Sequence, residues 1–335
     1  MTALAERVVE TDRHRTFYLE CGPADGPLLI FVHGWPALAI SWRAQLARFA
    51  ELGYRCVAPD MRGYGGSSAP PRRESYALEE IVADLRELLA ALGAQRAVWI
   101  GHDWGGPAVW EIARHHPEVC RGVASACVPY APDGFTPASL IPLVDRNVYP
   151  EGEYPAGQWD YMLYYASAFD DARATFEADV SATVRALFRS GNPKHRGRPA
   201  PTARITADGG WFGGAGCAPD LPRDPAILSE DDLRAHAGAF ERTGFFGADA
   251  WYVNPERNAA YARTAAPQLA MPVLFLHALY DTICETVDSR LAEPMRRACA
   301  NLTERILETG HWLPQEQPAQ CNAALEEWLD AQRLR

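Results

Sequence analysis

Residues Ala97-Val98-Trp99-Ile100-Gly101-His102-Asp103-Trp104-Gly105-Gly106 place one carboxylate where the backbone can aim it. An apolar run suited to a buried strand leads into Gly-x-Asp-x-Gly, and a helical stretch follows to residue 116. The small residues Gly101 and Gly105 allow a sharp strand-to-helix turn, the nucleophile-elbow pattern, with Asp where serine is usual. Asp103 then projects at the carboxyl end of the strand, beside the free N–H groups of a helix N-terminus. The residue type decides the chemistry. A serine alkylated at saturated carbon becomes an ether, which offers water no carbonyl. An alkylated carboxylate is an ester, whose carbonyl water can attack and whose oxyanion backbone N–H groups can hold. Asp103 therefore predicts substrates opened at saturated carbon, epoxides or alkyl halides, over acyl esters or amides. On these residues alone a simple helix cap is the competing reading.

The elements needed to position such a group are visible along the chain. Continuous apolar runs at 28–32, 56–58, 97–100, 122–128 and 273–276 read as strands buried on both faces. Helical stretches at 41–51, 78–92 and 104–116 lie between them, and 8–10 with 16–20 suggest an opening hairpin. This alternation predicts an α/β protein with a mostly parallel, doubly wound sheet. It stops near Pro129 and resumes near Met271. The intervening segment is rich in aromatics, Pro and Gly, with helices expected at 171–189, 230–242 and 254–264. An inserted, mainly helical lid is the natural reading, because 335 residues exceed the roughly 250 that one core usually needs. The expected division is 1–130 and 266–335 for the core and 131–265 for the lid. The basic stretch 189–198 reads as an exposed loop.

Composition removes other classes of function. Lys+Arg is 32 against Asp+Glu 43, a net charge of −11, which argues against nucleic acid or an anionic membrane as partner. The single lysine, Lys194, leaves no P-loop lysine and only a poor Schiff-base candidate. Eight cysteines lie far apart without a Cys-x-x-Cys pair, as expected of reduced thiols in a cytoplasmic protein. Nine histidines show no His-Glu-x-x-His, so no metal and no cofactor is expected. The opening residues 1–7 contain no apolar stretch, and nowhere do 18 apolar residues run together, so neither a signal peptide nor a membrane span is predicted.

After the strand at 28–32 comes His33-Gly34-Trp35-Pro36, and here the chain resembles the α/β-hydrolase fold, specifically its epoxide hydrolases. The resemblance implies that the backbone N–H groups of Trp35 and Trp104 form an oxyanion hole, with His33, Gly34, Pro36 and His102 supporting the turns. A cis bond before Pro36 is one possibility there. The segment Asp60-Met61-Arg62-Gly63-Tyr64-Gly65-Gly66-Ser67 matches the family's next turn and reads as structural. Beyond the insertion, strands at 271–279 and 303–307 lead to Tyr280-Asp281 and to Thr309-Gly310-His311-Trp312. The order nucleophile, acid, histidine is that of the fold. His311 would activate water and Asp281 would orient its ring. Ala278 departs from the family, which often has Gly there, and Asp133 is the rival acid. Two lid contexts, Trp159-Asp160-Tyr161-Met162-Leu163-Tyr164 and Trp251-Tyr252-Val253-Asn254-Pro255, resemble those that carry the family's acids for the departing oxygen. They imply Tyr161 and Tyr252, with Tyr164 and Tyr165 competing for the first role. The implied activity is hydrolysis of a small hydrophobic epoxide to a vicinal diol by a monomer or homodimer, with water as the second substrate. A haloalkane or fluoroacetate dehalogenase using the same Asp is the alternative, and a non-enzymatic ligand-binding relative is a more distant one. Trp35, Trp104, Trp159, Trp251 and Trp312, half of the 10 tryptophans, lie within two residues of these positions, as an apolar pocket around one carboxylate would require.

Overall fold

The computed structural model describes residues 4–335, so Met1 to Ala3 of the opening segment lie outside it. Eight strands form one sheet: β1 (Ala5–Glu10), β2 (Arg15–Cys21), β3 (Leu28–Val32), β4 (Arg55–Pro59), β5 (Ala97–His102), β6 (Cys120–Ala126), β7 (Leu269–Ala278) and β8 (Cys299–Leu307). Their order is β1-β2-β4-β3-β5-β6-β7-β8. The expected hairpin is present, with Val8 opposite Phe17, and β2 also runs antiparallel to β4. From β4 to β8 every pairing is parallel. Every residue of β3 and β5 is buried, as continuous apolar runs covered on both faces should be. The helices α1 (Arg43–Glu51), α2 (Leu78–Ala91) and α3 (Gly105–His115) follow β3, β4 and β5. α3 packs on β5 and β6 beside α2, while α1 packs on β4 beside the terminal helix Pro318–Ala331. The sheet is mostly parallel, and a mainly helical lid is inserted between β6 and β7.

The lid departs from expectation in one place that matters. The sequence suggested a helix over 171–189, but the chain forms Asp160–Glu177 and then Val180–Leu187. Asp179 adopts an extended backbone and its side chain accepts the Ala182 N–H, capping the second helix and so breaking the run. The first helix begins eleven residues earlier than expected because its aromatics are buried on several sides, which hides any one-sided stripe. Further on, Glu230–Thr243 starts with a capping box between Ser229 and Asp232. Pro255–Ala262 starts with proline in its first turn. One aromatic-rich hydrophobic cluster runs without a break from the sheet (Phe31, Trp99, Leu274) into the lid (Trp159, Phe176, Trp251). Among the described residues seven cysteines are buried and Cys217 is exposed, and no helix is long and apolar enough to cross a membrane.

Candidate active site

The fully buried strand β5 delivers Asp103 to the turn, and α3 begins two residues later. Asp103 itself takes a left-handed backbone with φ of 50°, the conformation that aims its side chain away from the sheet. Gly101 and Gly105 are required by contact: a Cβ on Gly101 would lie 2.8 Å from the Gly106 nitrogen, and one on Gly105 would lie 3.0 Å from the His33 carbonyl. The Trp35 backbone N–H donates to Asp103 Oδ1 at 2.6 Å. A Cβ on Gly34 would intrude on the same carboxylate and on the Trp104 amide, so glycine there keeps the space between both backbone donors open. The Trp35-Pro36 bond is cis.

Asp281 and His311 reach this carboxylate from the loops after β7 and β8. His311 Nδ1 donates to Asp281 Oδ2 at 2.8 Å, and Nε2 lies 3.5 Å from Asp103 Oδ2. Asp281 Oδ1 is held in turn by the N–H groups of Ile283 and Cys284. Burial alone would lower the His311 pKa, but the charges and hydrogen bonds of Asp281 and Asp103 outweigh it and push the imidazole up to about 10. Burial opposes ionisation of Asp281 as well, yet His311 and the two backbone donors bring its carboxyl below the usual value. The rival Asp133 is exposed on the loop after β6, whereas Asp281 carries the bond to the ring.

The supporting histidines are fixed by their own partners. His33 donates from Nδ1 to the Gly34 carbonyl and accepts the Met61 N–H at Nε2, both at 2.9 Å. His102 donates from Nε2 to the His311 carbonyl at 2.6 Å. Burial lowers each to about 4, so both are neutral props for the two loops. Asp60 holds its own turn by accepting the N–H groups of Ala39 and Gly66.

Tyr161, in the first turn of helix Asp160–Glu177, and Tyr252, in the short turn Ala250–Val253, line the same cavity as Asp103, His311 and Trp35. That cavity has a volume of about 600 Å³ and opens to solvent past the exposed Asn192, His195, Asp208 and Gly213. The two rings are 5.5 Å apart, and burial pushes both hydroxyls well above the ordinary tyrosine value, so they remain proton donors. The other tyrosines of the helix are committed elsewhere. Tyr165 donates to Asp249, and the Tyr164 hydroxyl faces Gly210. The basic stretch is exposed as expected, but Arg189 and His195 also line the outer part of the cavity.

Two groups of side chains bring three metal-ligating atoms within 4.8 Å of one another, His102/Cys127/His311 and Asp281/Cys284/His311. Both use His311, whose Nδ1 is already bonded to Asp281. Burial pushes the Cys127 and Cys284 thiols well up, against the thiolate form a metal needs. Neither group is arranged to hold a cofactor ion.

The lid is joined to the core on both flanks. On one, Leu78 N–H donates to Asn258 Oδ1 and Trp251 Nε1–H to the Arg62 carbonyl. On the other, Trp312 Nε1–H donates to the Leu187 carbonyl, and Glu316 Oε2 accepts from both Gly310 and Gly191. Between them, the buried Asp249 accepts from the Trp35 indole. Sequence reasoning passed over Asp249 and Glu316. The signal for Asp249 was a carboxyl between alanines inside the aromatic run Phe245-Phe246-Gly247-Ala248-Asp249-Ala250-Trp251-Tyr252.

A family model described as alpha/beta hydrolase fold matches residues 27–318. Epoxide hydrolase A of Mycobacterium tuberculosis is 35% identical over 337 residues, covering the whole of both chains. Bifunctional epoxide hydrolase 2 of Sus scrofa is 34% identical across 94% of this chain, which spans about half, 53%, of that longer protein. Among solved structures, epoxide hydrolase A from Mycobacterium thermoresistibile superimposes with a TM-score of 0.80 at 33% identity, covering 98% of each chain.

Proposed function

The chain belongs to the epoxide hydrolases of the alpha/beta hydrolase fold, and from that premise we propose that it opens an epoxide through a covalent ester on Asp103. The observation that carries this reading is the meeting, in one cavity, of a carboxylate at an elbow with two buried tyrosine hydroxyls. In this reading residues 1–130 and 266–335 supply the nucleophile and water activation, and the lid, 131–265, supplies the acids. One Asp103 oxygen attacks a ring carbon as the carbon–oxygen bond breaks, and the departing alkoxide takes a proton from Tyr161 or Tyr252.

Ester formation cancels the Asp103 charge, one of the two that hold His311 protonated, so the imidazolium gives up its proton to the tyrosinate left by ring opening and the neutral ring becomes available as a base. His311 then takes a proton from water while the hydroxide adds to the ester carbonyl. The N–H groups of Trp35 and Trp104 hold the resulting oxyanion, and Asp281 stabilises the imidazolium. Collapse expels the diol oxygen, which takes the proton from His311, and the Asp103 acid then passes its proton to the ring, restoring the carboxylate and the imidazolium. Both diol oxygens come from substrate and Asp103, and the oxygen from water stays on Asp103. A single turnover in ¹⁸O-labelled water tests this directly: the first diol should be unlabelled, and label in it would overturn the covalent route. A dehalogenase would share Asp103 and His311, but a pair of buried tyrosines lining the same cavity as the carboxylate supports the epoxide, and halide release measured beside diol formation separates the two.

A further inference from the structure

Asp249 is fully buried in the short helix Phe246–Asp249, three residues before Tyr252, and the reaction outlined above makes no use of it. Its Oδ1 accepts two hydrogen bonds, from Trp35 Nε1–H at 2.9 Å and from the Tyr165 hydroxyl at 3.1 Å. Each donor leads to a different part of the chemistry. Trp35 belongs to the core loop, and its backbone N–H is the one at 2.6 Å from Asp103. Tyr165 belongs to the lid, and its ring lies face to face with Tyr252, 4.5 Å between centroids and 7° between planes. We propose that Asp249 is a positioning residue that ties the oxyanion donor Trp35 and the ring platform of Tyr252 to one oxygen atom, fixing the core and lid halves of the site relative to each other. The inference rests on the epoxide-opening reading and extends it to a residue outside the reacting groups.

A buried carboxyl is costly unless its polar atoms are matched. Leucine would fit the aromatic surroundings of Trp35, Tyr165 and Tyr252 better, but it would leave the Trp35 indole N–H and the Tyr165 hydroxyl buried without an acceptor. Burial pushes the Asp249 carboxyl well above its usual range against the lowering hydrogen bonds of Trp35 and Tyr165, with Glu177 adding to the rise and Arg173 opposing it. In its protonated form the acid presents a carbonyl oxygen to both donors. Asparagine keeps that carbonyl in place, so it is the conservative replacement.

The division between limbs makes the test specific. Ester formation depends on Tyr252 and ester hydrolysis on the Trp35 N–H, so losing Asp249 should slow both steps, whereas losing only the Tyr165 hydroxyl should slow the first. Single-turnover reactions with styrene oxide, followed by intact mass for the ester and by chromatography for the diol, give the two rate constants per titrated active site. Asp249→Leu is expected to slow both by about tenfold or more, as misplacement of reacting groups does. Tyr165→Phe is expected to slow formation several-fold and leave hydrolysis unchanged, and Asp249→Asn to restore both steps to within about threefold of wild type. If Asp249→Leu and Tyr165→Phe merely reduce the number of active sites while both rate constants stay at wild-type values, Asp249 is structural only and the inference fails. Should Asp249→Leu not fold, Tyr165→Phe and Asp249→Asn still decide it: equal slowing of both steps by the former, or a collapse of both in the latter, refutes the assignment. A wild-type enzyme that yields diol with no ester overturns the underlying reaction as well, and so marks that failure apart from the others.

Discussion

Gly34→Ala is the sharpest perturbation of the proposed oxyanion hole, because it adds one carbon and removes nothing. A Cβ built on Gly34 stands 2.6 Å from the Asp103 Cβ, and closer still to Asp103 Oδ1 and the Trp104 nitrogen, where ordinary contacts begin at 3.4 Å. The turn behind the nucleophile offers little room for retreat, since even a Cβ on Gly105 would strike the carbonyls of Val32 and His33. Asp103 or the loop carrying Trp35 must therefore move by about 1 Å, a misplacement that costs on the order of 10²-fold in rate. That corresponds to about 2.7 kcal/mol of activation free energy. Overpacking adds about 1–3 kcal/mol of lost stability, which leaves a folded protein for assay. The measurement is the single-turnover rate of ester formation by intact mass, with circular dichroism melting as a check on folding. Gly152→Ala is the control, because a Cβ there meets no atom within 4 Å. A Gly34→Ala enzyme that forms ester within threefold of wild type would refute the argument that these two amides and the carboxylate share one tight space.

Other expectations follow from the same geometry. His311→Gln removes the base and not the nucleophile, so the ester should accumulate as a stable mass adduct of the substrate, and no adduct after incubation with a turned-over epoxide would count against the two-step scheme. Tyr161→Phe and Tyr252→Phe should each slow ring opening by about 10²-fold, near the lower end of general-acid contributions, and the double variant more, with ester hydrolysis little changed in single turnover. In Asp103→Asn the His311 ring loses one of its two carboxylate neighbours, so its NMR titration should move below that of the wild type. Because the folded pKa of His311 lies above the unfolded 6.5, its ion pairs contribute fully below that pH and fade as pH rises through about 10. The stability gap between wild type and His311→Gln should accordingly narrow across that window in urea melts, and a gap constant from pH 6 to 10 would contradict it.

The parts of the site that were legible in the sequence are those where backbone geometry dictates residue type. Gly101, Gly105 and Gly34 are needed because a Cβ would strike a neighbouring segment, and the loops after β7 and β8 must hold Asp281 and His311 if two adjacent parallel strands are to deliver a pair to Asp103. What the sequence left open was decided by side-chain direction. Tyr161, Tyr164 and Tyr165 are neighbours in sequence, yet on a helix they point three ways: to the cavity, to Gly210 and to Asp249. The helix start at Asp160 was hidden because Tyr161, Met162, Tyr164, Tyr165 and Phe169 are buried around its circumference, with a kink at Ala168. Asp249 was invisible for a related reason. Its role depends on two donors 84 and 214 residues away in sequence, and no local pattern encodes such a meeting.

The bonds that fasten the lid on both flanks bear on how the enzyme selects its substrate. With Asn258 and Trp251 bonded to the core on one side and Leu187 and Gly191 on the other, the lid is held at both flanks, and the exposed Asn192, His195 and Asp208 stand at the outer end of the cavity. An entrance held on both sides sorts by the rate of entry, before any bond is broken. Bulky epoxides should then fail by a fall in kcat/KM with kcat preserved, and widening the rim, not reshaping the wall beside Asp103, is the change that would admit them.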